Sequence, residues 1–228
     1  MRPSRAERGF IVAAAAAGFL LIAGPARGQE IPSPFAAALD EAVAAARAGD
    51  REKAAALLLK LSEEYPDEPS TFYNLALTYE FDADGKRYRG DTLSLAASYY
   101  QRALALDPLF TPARLNIGVI WHRLGYLEEA AREYRLVVKG GGEFTPRGEN
   151  NLALVLRAEG RPKEAEAVLT KSKASYEDAS RVRLLALLAE DAGEVGRAIL
   201  LWKRALALDD NPALSALAFK HLQALRGY

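Results

Sequence analysis

The sequence predicts an all-α chain built as a solenoid of helix hairpins, and three observations support this prediction. Apolar residues recur at helical spacing, as in residues 116–138, which form the pattern of two amphipathic helices joined by a turn at Gly125. The turn glycines are each followed five residues later by an alanine, in the pairs Gly49–Ala54, Gly125–Ala130, Gly160–Ala165 and Gly193–Ala198. Their spacing is close to 34 residues, a period typical of helical repeats.

The glycine and the alanine of each pair are both expected on physical grounds. Glycine suits the left-handed conformation that ends a helix, and a small alanine lets the second helix of a hairpin approach the first. Gly125 to Gly160 is 35 residues and Gly160 to Gly193 is 33, whereas Gly49 to Gly125 is 76, which is two units plus eight residues. We therefore expect one further hairpin between Gly49 and Gly125, with an enlarged turn over residues 82–91.

Helix starts are predicted where a polar residue precedes a proline. A side-chain oxygen there can cap free N–H groups, and proline fits the first helical turn. The pattern occurs four times, at Ser33-Pro34, Thr111-Pro112, Thr145-Pro146 and Asn211-Pro212.

Composition narrows the possible functions. The 228 residues include 30 Lys plus Arg and 30 Asp plus Glu, so the charge balance does not indicate a nucleic-acid partner. The absence of cysteine excludes disulfides, thiolate metal sites and a cysteine nucleophile. Two histidines far apart, His122 and His221, make a histidine-rich metal site unexpected.

The N-terminus has the features of a secretory signal. Arg2, Arg5 and Arg8 precede an apolar run over residues 10–23, and small residues follow, with cleavage expected between Gly28 and Gln29. The run of 14 residues is shorter than the roughly 20 needed to cross a bilayer, so an uncleaved anchor is the less favoured alternative. We expect an exported, periplasmic protein of bacterial origin.

The residues in register resemble the tetratricopeptide repeat family, whose pattern combines aromatics, a Leu-Gly/Ala pair, a turn glycine, alanines and a closing proline. The second unit matches with Phe72, Leu75, Ala76, Tyr79, Ala96, Tyr100, Ala103 and Pro108, and the central unit matches with Ile117, Gly118, Trp121, Gly125, Ala130 and Tyr134. The fourth unit is weaker, with Leu169 and Ser172 where an aromatic and an alanine are usual. Trp121 and Trp202 occupy core positions of this pattern.

The resemblance implies a right-handed α-solenoid of about five repeats, with eleven helices in all. The expected organisation is a signal peptide at 1–28, a linker at 29–34 and a solenoid at 35–228. Its repeats would cover 35–68, 69–110, 111–144, 145–178 and 179–212, followed by a capping helix at 213–227. A polar-backed final helix is needed because each repeat covers only its neighbour.

Three asparagines at one repeat position form the candidate site. Asn74, Asn116 and Asn151 each precede the Leu/Ile-Gly/Ala pair of a first helix, and the resemblance places first helices along a concave groove. A row of amides there can bond a peptide backbone; alternatively, these asparagines simply face water. Neighbouring groove positions implied by the family are Tyr73, Leu77, Glu80, Leu115, Val119, His122, Arg123, Asn150, Leu154, Arg157, Arg183 and Leu187. Among these, Arg123 and Arg157 suit acidic side chains or a terminal carboxylate.

No catalytic, phosphate-binding or zinc motif is present, so we expect neither an enzyme nor a cofactor. Residues 82–85 resemble a calcium loop only faintly, because Leu93 stands where the bidentate glutamate belongs. Two irregularities have more than one interpretation. The basic, aromatic loop 85–90 could contact a partner or anionic envelope lipid, or be a tolerated insertion. The run 140–142 of three glycines could be a hinge or a relaxed loop.

The sequence thus favours a periplasmic adaptor that binds a peptide segment or helix of another protein in its groove. The alternative is an assembly subunit of a cell-envelope complex, such as a pilus, secretion or polysaccharide-export apparatus. The identity of the partner does not follow from the sequence.

Overall fold

A computed structural model describes residues 33–81, 91–171, 177–209 and 211–225. These residues form eleven helices, which confirms the all-α class and the predicted number: α1 Ser33–Arg47, α2 Arg51–Glu64, α3 Pro69–Glu80, α4 Asp91–Leu106, α5 Thr111–Leu124, α6 Leu127–Gly140, α7 Thr145–Ala158, α8 Pro162–Thr170, α9 Ala179–Asp191, α10 Val195–Leu208 and α11 Pro212–Leu225. The predicted signal peptide 1–28, residues 29–32 of the linker and residues 82–90 of the enlarged turn lie outside the described residues.

The glycine–alanine prediction is confirmed at all four turns. Gly49, Gly125, Gly160 and Gly193 have φ of 83°, 89°, 75° and 72°. A side chain would be strained in this left-handed region, so glycine is required by the backbone itself. The four alanines that follow them have no exposed surface: Ala54, Ala130, Ala165 and Ala198.

The capping prediction is right at one position and wrong at two. Asn211 caps α11, since its Oδ1 accepts the Ala213 backbone N–H at 3.0 Å. Thr111 and Thr145 are instead the first residues of their helices and make no side-chain cap. Proline is therefore the second helical residue there, so the threonine lies one position too late to cap. The side chains of Asp50 and Asp178 cap α2 and α9 without a following proline.

The chain forms two compact units, the first ending at Gly125 and the second beginning at Tyr126. In the first unit α1 to α5 pack in succession, each against the next. Their common core consists of aliphatic and aromatic side chains, of which the largest fully buried ones are Tyr100, Phe35, Leu39, Leu58, Leu75 and Ile120. Trp121 packs partly buried against this core.

In the second unit α6 packs on α7 and α7 on α8, while α9 contacts α7, α8 and α10. Trp202 on α10 is fully buried and donates its indole N–H to Glu190 on α9. The final helix, α11, buries Ala218 and Leu222 and packs on α10, and its His221 stacks on Trp202 with ring centroids 4.5 Å apart. His221 also lies 2.9 Å from the Glu190 carboxylate. These contacts fasten the last helix to the unit.

The glycines between α6 and α7 have distinct local geometries. Gly141 and Gly142 have φ of 71° and 83°, so both occupy a conformation that favours glycine, and the hinge role stays a prediction. Gly148 lies inside α7, at a close approach of the two helices. A Cβ on it would stand 2.7 Å from Val137 Cγ1 and 3.1 Å from Val137 Cβ.

Gly148→Ala is expected to lower the free energy of unfolding by about 1–3 kcal/mol, because the new methyl group would stand 2.7 Å from Cγ1 of Val137, a buried, β-branched residue with little freedom to move aside. The measurement is urea unfolding followed by circular dichroism. Gly196→Ala is the matched control, since no atom lies within 4 Å of the place that its methyl group would take in α10. It should be neutral or stabilising by up to about 1 kcal/mol. Equal stability of both variants would contradict the close-approach argument.

His122 on α5 gives the stability a pH dependence. Burial lowers its pKa from 6.5 to about 4, so the folded chain holds the imidazole neutral over a range in which the unfolded chain protonates it. The unfolded state then binds more protons below pH 6.5, and stability falls as the pH drops from 6.5 towards 4. Between about pH 7.5 and 5 this group is expected to remove about 2 kcal/mol of unfolding free energy. Urea unfolding at both pH values should show a smaller decrease for His122→Gln than for the native chain; identical decreases would refute the assignment.

Candidate functional site

The three predicted asparagines differ in the hydrogen bonds that their side-chain amides make. Asn74 on α3 has no exposed surface, and its Nδ2 donates to the Ser70 carbonyl at 2.8 Å, one turn earlier in the same helix. Thr78 Oγ1 in turn donates to the Asn74 carbonyl at 2.8 Å. This amide therefore bonds its own helix and presents no surface to a ligand, unlike the amide that the ladder prediction requires.

Asn116 on α5 is partly buried and lies beside two tyrosines of the same unit. Its Nδ2 donates to Tyr100 Oη at 3.1 Å and, more weakly, to Tyr73 Oη at 3.4 Å. Tyr100 Oη donates to Glu80 Oε2 at 2.6 Å. The structure thus brings together Tyr73 and Asn116, two of the predicted site residues. Through Tyr100 they are joined to Glu80, which the family pattern places on the groove surface but which is buried in the structure.

The aromatic neighbours hold this arrangement in place. The Tyr73 ring lies 5.7 Å from Tyr100 and 5.3 Å, edge-on, from Phe110, measured between centroids. Glu80 and Tyr100 have no exposed surface, and Tyr73 has 3%. Val119, three residues after Asn116 on α5, is also buried, and Arg123 is partly buried on the same helix. The Asn116 amide is therefore a polar group whose neighbours are largely apolar side chains.

In the second unit, Asn151 and Leu154 lie partly buried on α7. The Asn151 amide makes no hydrogen bond to any residue that the structure describes. Its neighbour Asn150 differs, because its Oδ1 accepts from Arg181 Nε at 3.2 Å. Of the three predicted asparagines, Asn151 keeps the whole amide available and Asn116 keeps its oxygen.

Two of the predicted arginines, Arg157 and Arg183, are engaged within the second unit. Arg157 forms a two-point ion pair with Asp191 on α9, with Nη2 to Oδ1 at 3.0 Å. Arg183 is buried, and it donates to Asp209 Oδ2 at 2.8 Å and to Ser180 Oγ at 3.0 Å. The Asn211 backbone N–H, and next Arg183, hold the pKa of the Asp209 carboxyl below its ordinary range. Both guanidinium groups thus serve internal ion pairs, and neither is placed to receive a ligand carboxylate without breaking one.

Sequence reasoning missed a second polar pattern. Glu80 bonds Tyr100 twenty residues later, and Glu190 bonds Trp202 twelve residues later. The two separations differ by eight residues, which is the number of extra residues in the enlarged turn between α3 and α4. An acidic residue near the end of a first helix and a polar aromatic in the following helix therefore form a recognisable signal. Arg181, which bonds Glu149 and the Leu169 carbonyl, has no such spacing signal.

Other kinds of site find no support among the described residues. No group of His, Asp and Glu there could hold a metal ion. No helix of that part of the chain has both the length and the apolar character to cross a bilayer.

Comparison of sequences gives one partial match. No family model matches the chain. The photosystem I assembly protein Ycf3 of Cyanophora paradoxa is 36% identical over 75 residues, which is 33% of this chain and 38% of that protein. The chain therefore aligns with little more than a third of this relative's length.

Comparison of structures covers most of the chain. The 41-end fragment of MamA from Desulfovibrio magneticus RS-1 superposes with a TM-score of 0.64 at 14% identity, covering 78% of this chain and 97% of that fragment. PilF of Pseudomonas aeruginosa gives 0.64 at 18% identity, covering 84% and 88%. YrrB, described as a TPR protein with an unusual peptide-binding site, gives 0.55 at 20% identity, covering 75% and 82%. At these identities the likeness is one of fold, and the chain therefore has the fold of the tetratricopeptide-repeat proteins, as its repeating residues indicate.

Proposed function

We propose that this chain is an adaptor that binds extended peptide segments of a partner protein, through Asn116 in its first unit and Asn151 in its second. The observation that carries the proposal is that these two asparagines are partly buried and that their amides still have hydrogen-bonding atoms with no partner among the described residues. A polar atom in such a place gains when a ligand supplies its hydrogen bond.

The chemistry favours recognition of the peptide main chain. A carboxamide offers an acceptor and donors that match backbone N–H and C=O groups. Arg157 and Arg183 are held in ion pairs, which leaves less cationic surface to select acidic side chains. Leu154, three residues beyond Asn151, is partly buried and supplies an apolar contact, whereas Val119 is buried. The peptide-binding site named for YrrB is consistent with such a use of the fold.

The test is a displayed library of random peptides selected on the purified chain, with the best peptide then measured by calorimetry. Asn116→Ala and Asn151→Ala are each expected to raise the Kd of a peptide bound at that position about three- to tenfold, the equivalent of one hydrogen bond of about 0.5–1.5 kcal/mol. Asn151→Ala should leave stability unchanged because its amide bonds nothing within the described chain. Gln101→Ala, which removes an amide from an exposed position of α4, is the control. An unchanged Kd in the double variant would remove the proposed site.

The proposal includes export to the periplasm, supported by the arginines and the apolar run before Gly28. We expect the full chain, expressed in a Gram-negative host, to appear in the periplasmic fraction with a mature N-terminus at Gln29. Intact mass and N-terminal sequencing measure this. An uncut chain in the membrane fraction would favour an uncleaved anchor, and an uncut chain in the cytosol would refute export.

A second candidate is an assembly subunit of a cell-envelope complex, which the local identity to an assembly protein favours. In that case the outer surface, such as Leu200 with 68% exposure on α10, carries the interaction. Co-fractionation with a large complex that survives the Asn116/Asn151 double variant but is lost in Leu200→Glu would decide for this candidate and against the adaptor.

A further inference from the structure

The carboxylate of Glu80 and the phenol of Tyr100 form a fully buried pair directly behind Asn116. Tyr100 Oη lies 2.6 Å from Glu80 Oε2 and 3.1 Å from Asn116 Nδ2. These contacts join the end of α3, the middle of α4 and the first half of α5. Neither Glu80 nor Tyr100 is exposed, so water does not compete for the hydrogen bond between them.

The number of protons decides how the amide of Asn116 must point. A tyrosine has one hydroxyl proton, and Glu80 in its ionised form only accepts hydrogen bonds. With Glu80 ionised, the Tyr100 proton is donated to it, and the Tyr100 oxygen can only accept from Asn116. The Asn116 amide must then turn its NH2 group towards Tyr100. Its Oδ1, on the opposite side of the carboxamide, is left facing away from the pair.

We propose that Glu80 and Tyr100 are positioning residues that make Asn116 a dedicated acceptor, so that this point of the site selects a ligand N–H donor. The fitting ligand group is a main-chain amide of an extended peptide. A carbonyl placed there would face Oδ1, and the resulting repulsion between two acceptors disfavours it. This inference rests on the proposed peptide-binding function and adds the direction in which one hydrogen bond must run.

Asn151 is the internal comparison. It follows Tyr134 by 17 residues, as Asn116 follows Tyr100 by 16, but it makes no hydrogen bond among the described residues. The residue in the place of Glu80, twelve before Tyr134, is His122. Because no described residue bonds its amide, Asn151 can present either its oxygen or its NH2 group, and it serves as the unoriented reference.

The first experiment needs no ligand. Exchange of the side-chain NH2 protons with water is measured by NMR on the 15N-labelled chain. Asn116 is expected to exchange about three- to tenfold more slowly than Asn151, since one retained hydrogen bond must open first. Tyr100→Phe should bring Asn116 to the rate of Asn151, whereas Tyr73→Phe, which removes only the 3.4 Å contact, should leave most of the protection. Equal rates for the two asparagines in the native chain would overturn the proposal.

The second experiment uses the best library peptide and a set of its analogues, each N-methylated at one position. In the native chain one position should cost about three- to tenfold in Kd when its N–H is methylated. That penalty should disappear in Asn116→Ala and shrink in Tyr100→Phe. A penalty that persists in Asn116→Ala would overturn the proposed contact.

Glu80→Leu provides a second variant if Tyr100→Phe does not fold. A leucine cannot accept the phenol proton, which is then available to Asn116 Oδ1, so the forced orientation is removed. The expected results are the same loss of NH2 protection and of N-methyl discrimination; retention of both would overturn the positioning role. If no library peptide binds at all, the peptide-binding function fails, while the exchange experiment still decides the orientation of Asn116.

Discussion

The packing of a side chain no larger than a methyl group against the neighbouring helix is the constraint from which the structure follows. Ala54, Ala130, Ala165 and Ala198 have no exposed surface. Each lies five residues after a glycine with positive φ. The glycine sets where one helix ends, and the alanine lets the next helix lie close to its neighbour. Any larger side chain would separate the two backbones, because interiors are packed without spare volume. The same requirement is strictest between α6 and α7, where the approach of Val137 to Gly148 leaves no room even for a Cβ atom.

Close packing of helices has a consequence for polar side chains near the ends of the first helices. Such side chains are enclosed by the next helix and must find partners there, since an unpaired buried polar group is costly. Glu80 bonds Tyr100, and Glu190 bonds Trp202 and His221. Arg181 similarly bonds Glu149 and a carbonyl of α8. The packing of the helices therefore determines which partners these polar side chains bond.

The repeat period makes the helices predictable, whereas the hydrogen-bond partner of each polar side chain depends on individual neighbouring residues. Asn74 and Asn116 occupy the same repeat position and look equivalent in sequence. Asn74 bonds a carbonyl of its own helix, whereas Asn116 meets the phenol of Tyr100. Thr111 does not cap its helix because a proline signal locates a helix start only to within one residue. Arg157 and Arg183 find acidic partners 34 and 26 residues away, which no local pattern encodes.

The difference between Asn116 and Asn151 follows from residues that do not touch a ligand. A main-chain hydrogen bond can run in two directions, and an asparagine by itself accepts both because its amide can rotate. A buried carboxylate that holds the neighbouring phenol proton removes this freedom at Asn116. Asn151 has no hydrogen-bond partner among the described residues, so its amide keeps this freedom. Asn116 would then accept a main-chain N–H of a peptide bound to the first unit, whereas Asn151 would bond either an N–H or a C=O group in the second. Selectivity for an N–H donor would arise in the buried layer behind Asn116, where the side chains of the ligand have no influence.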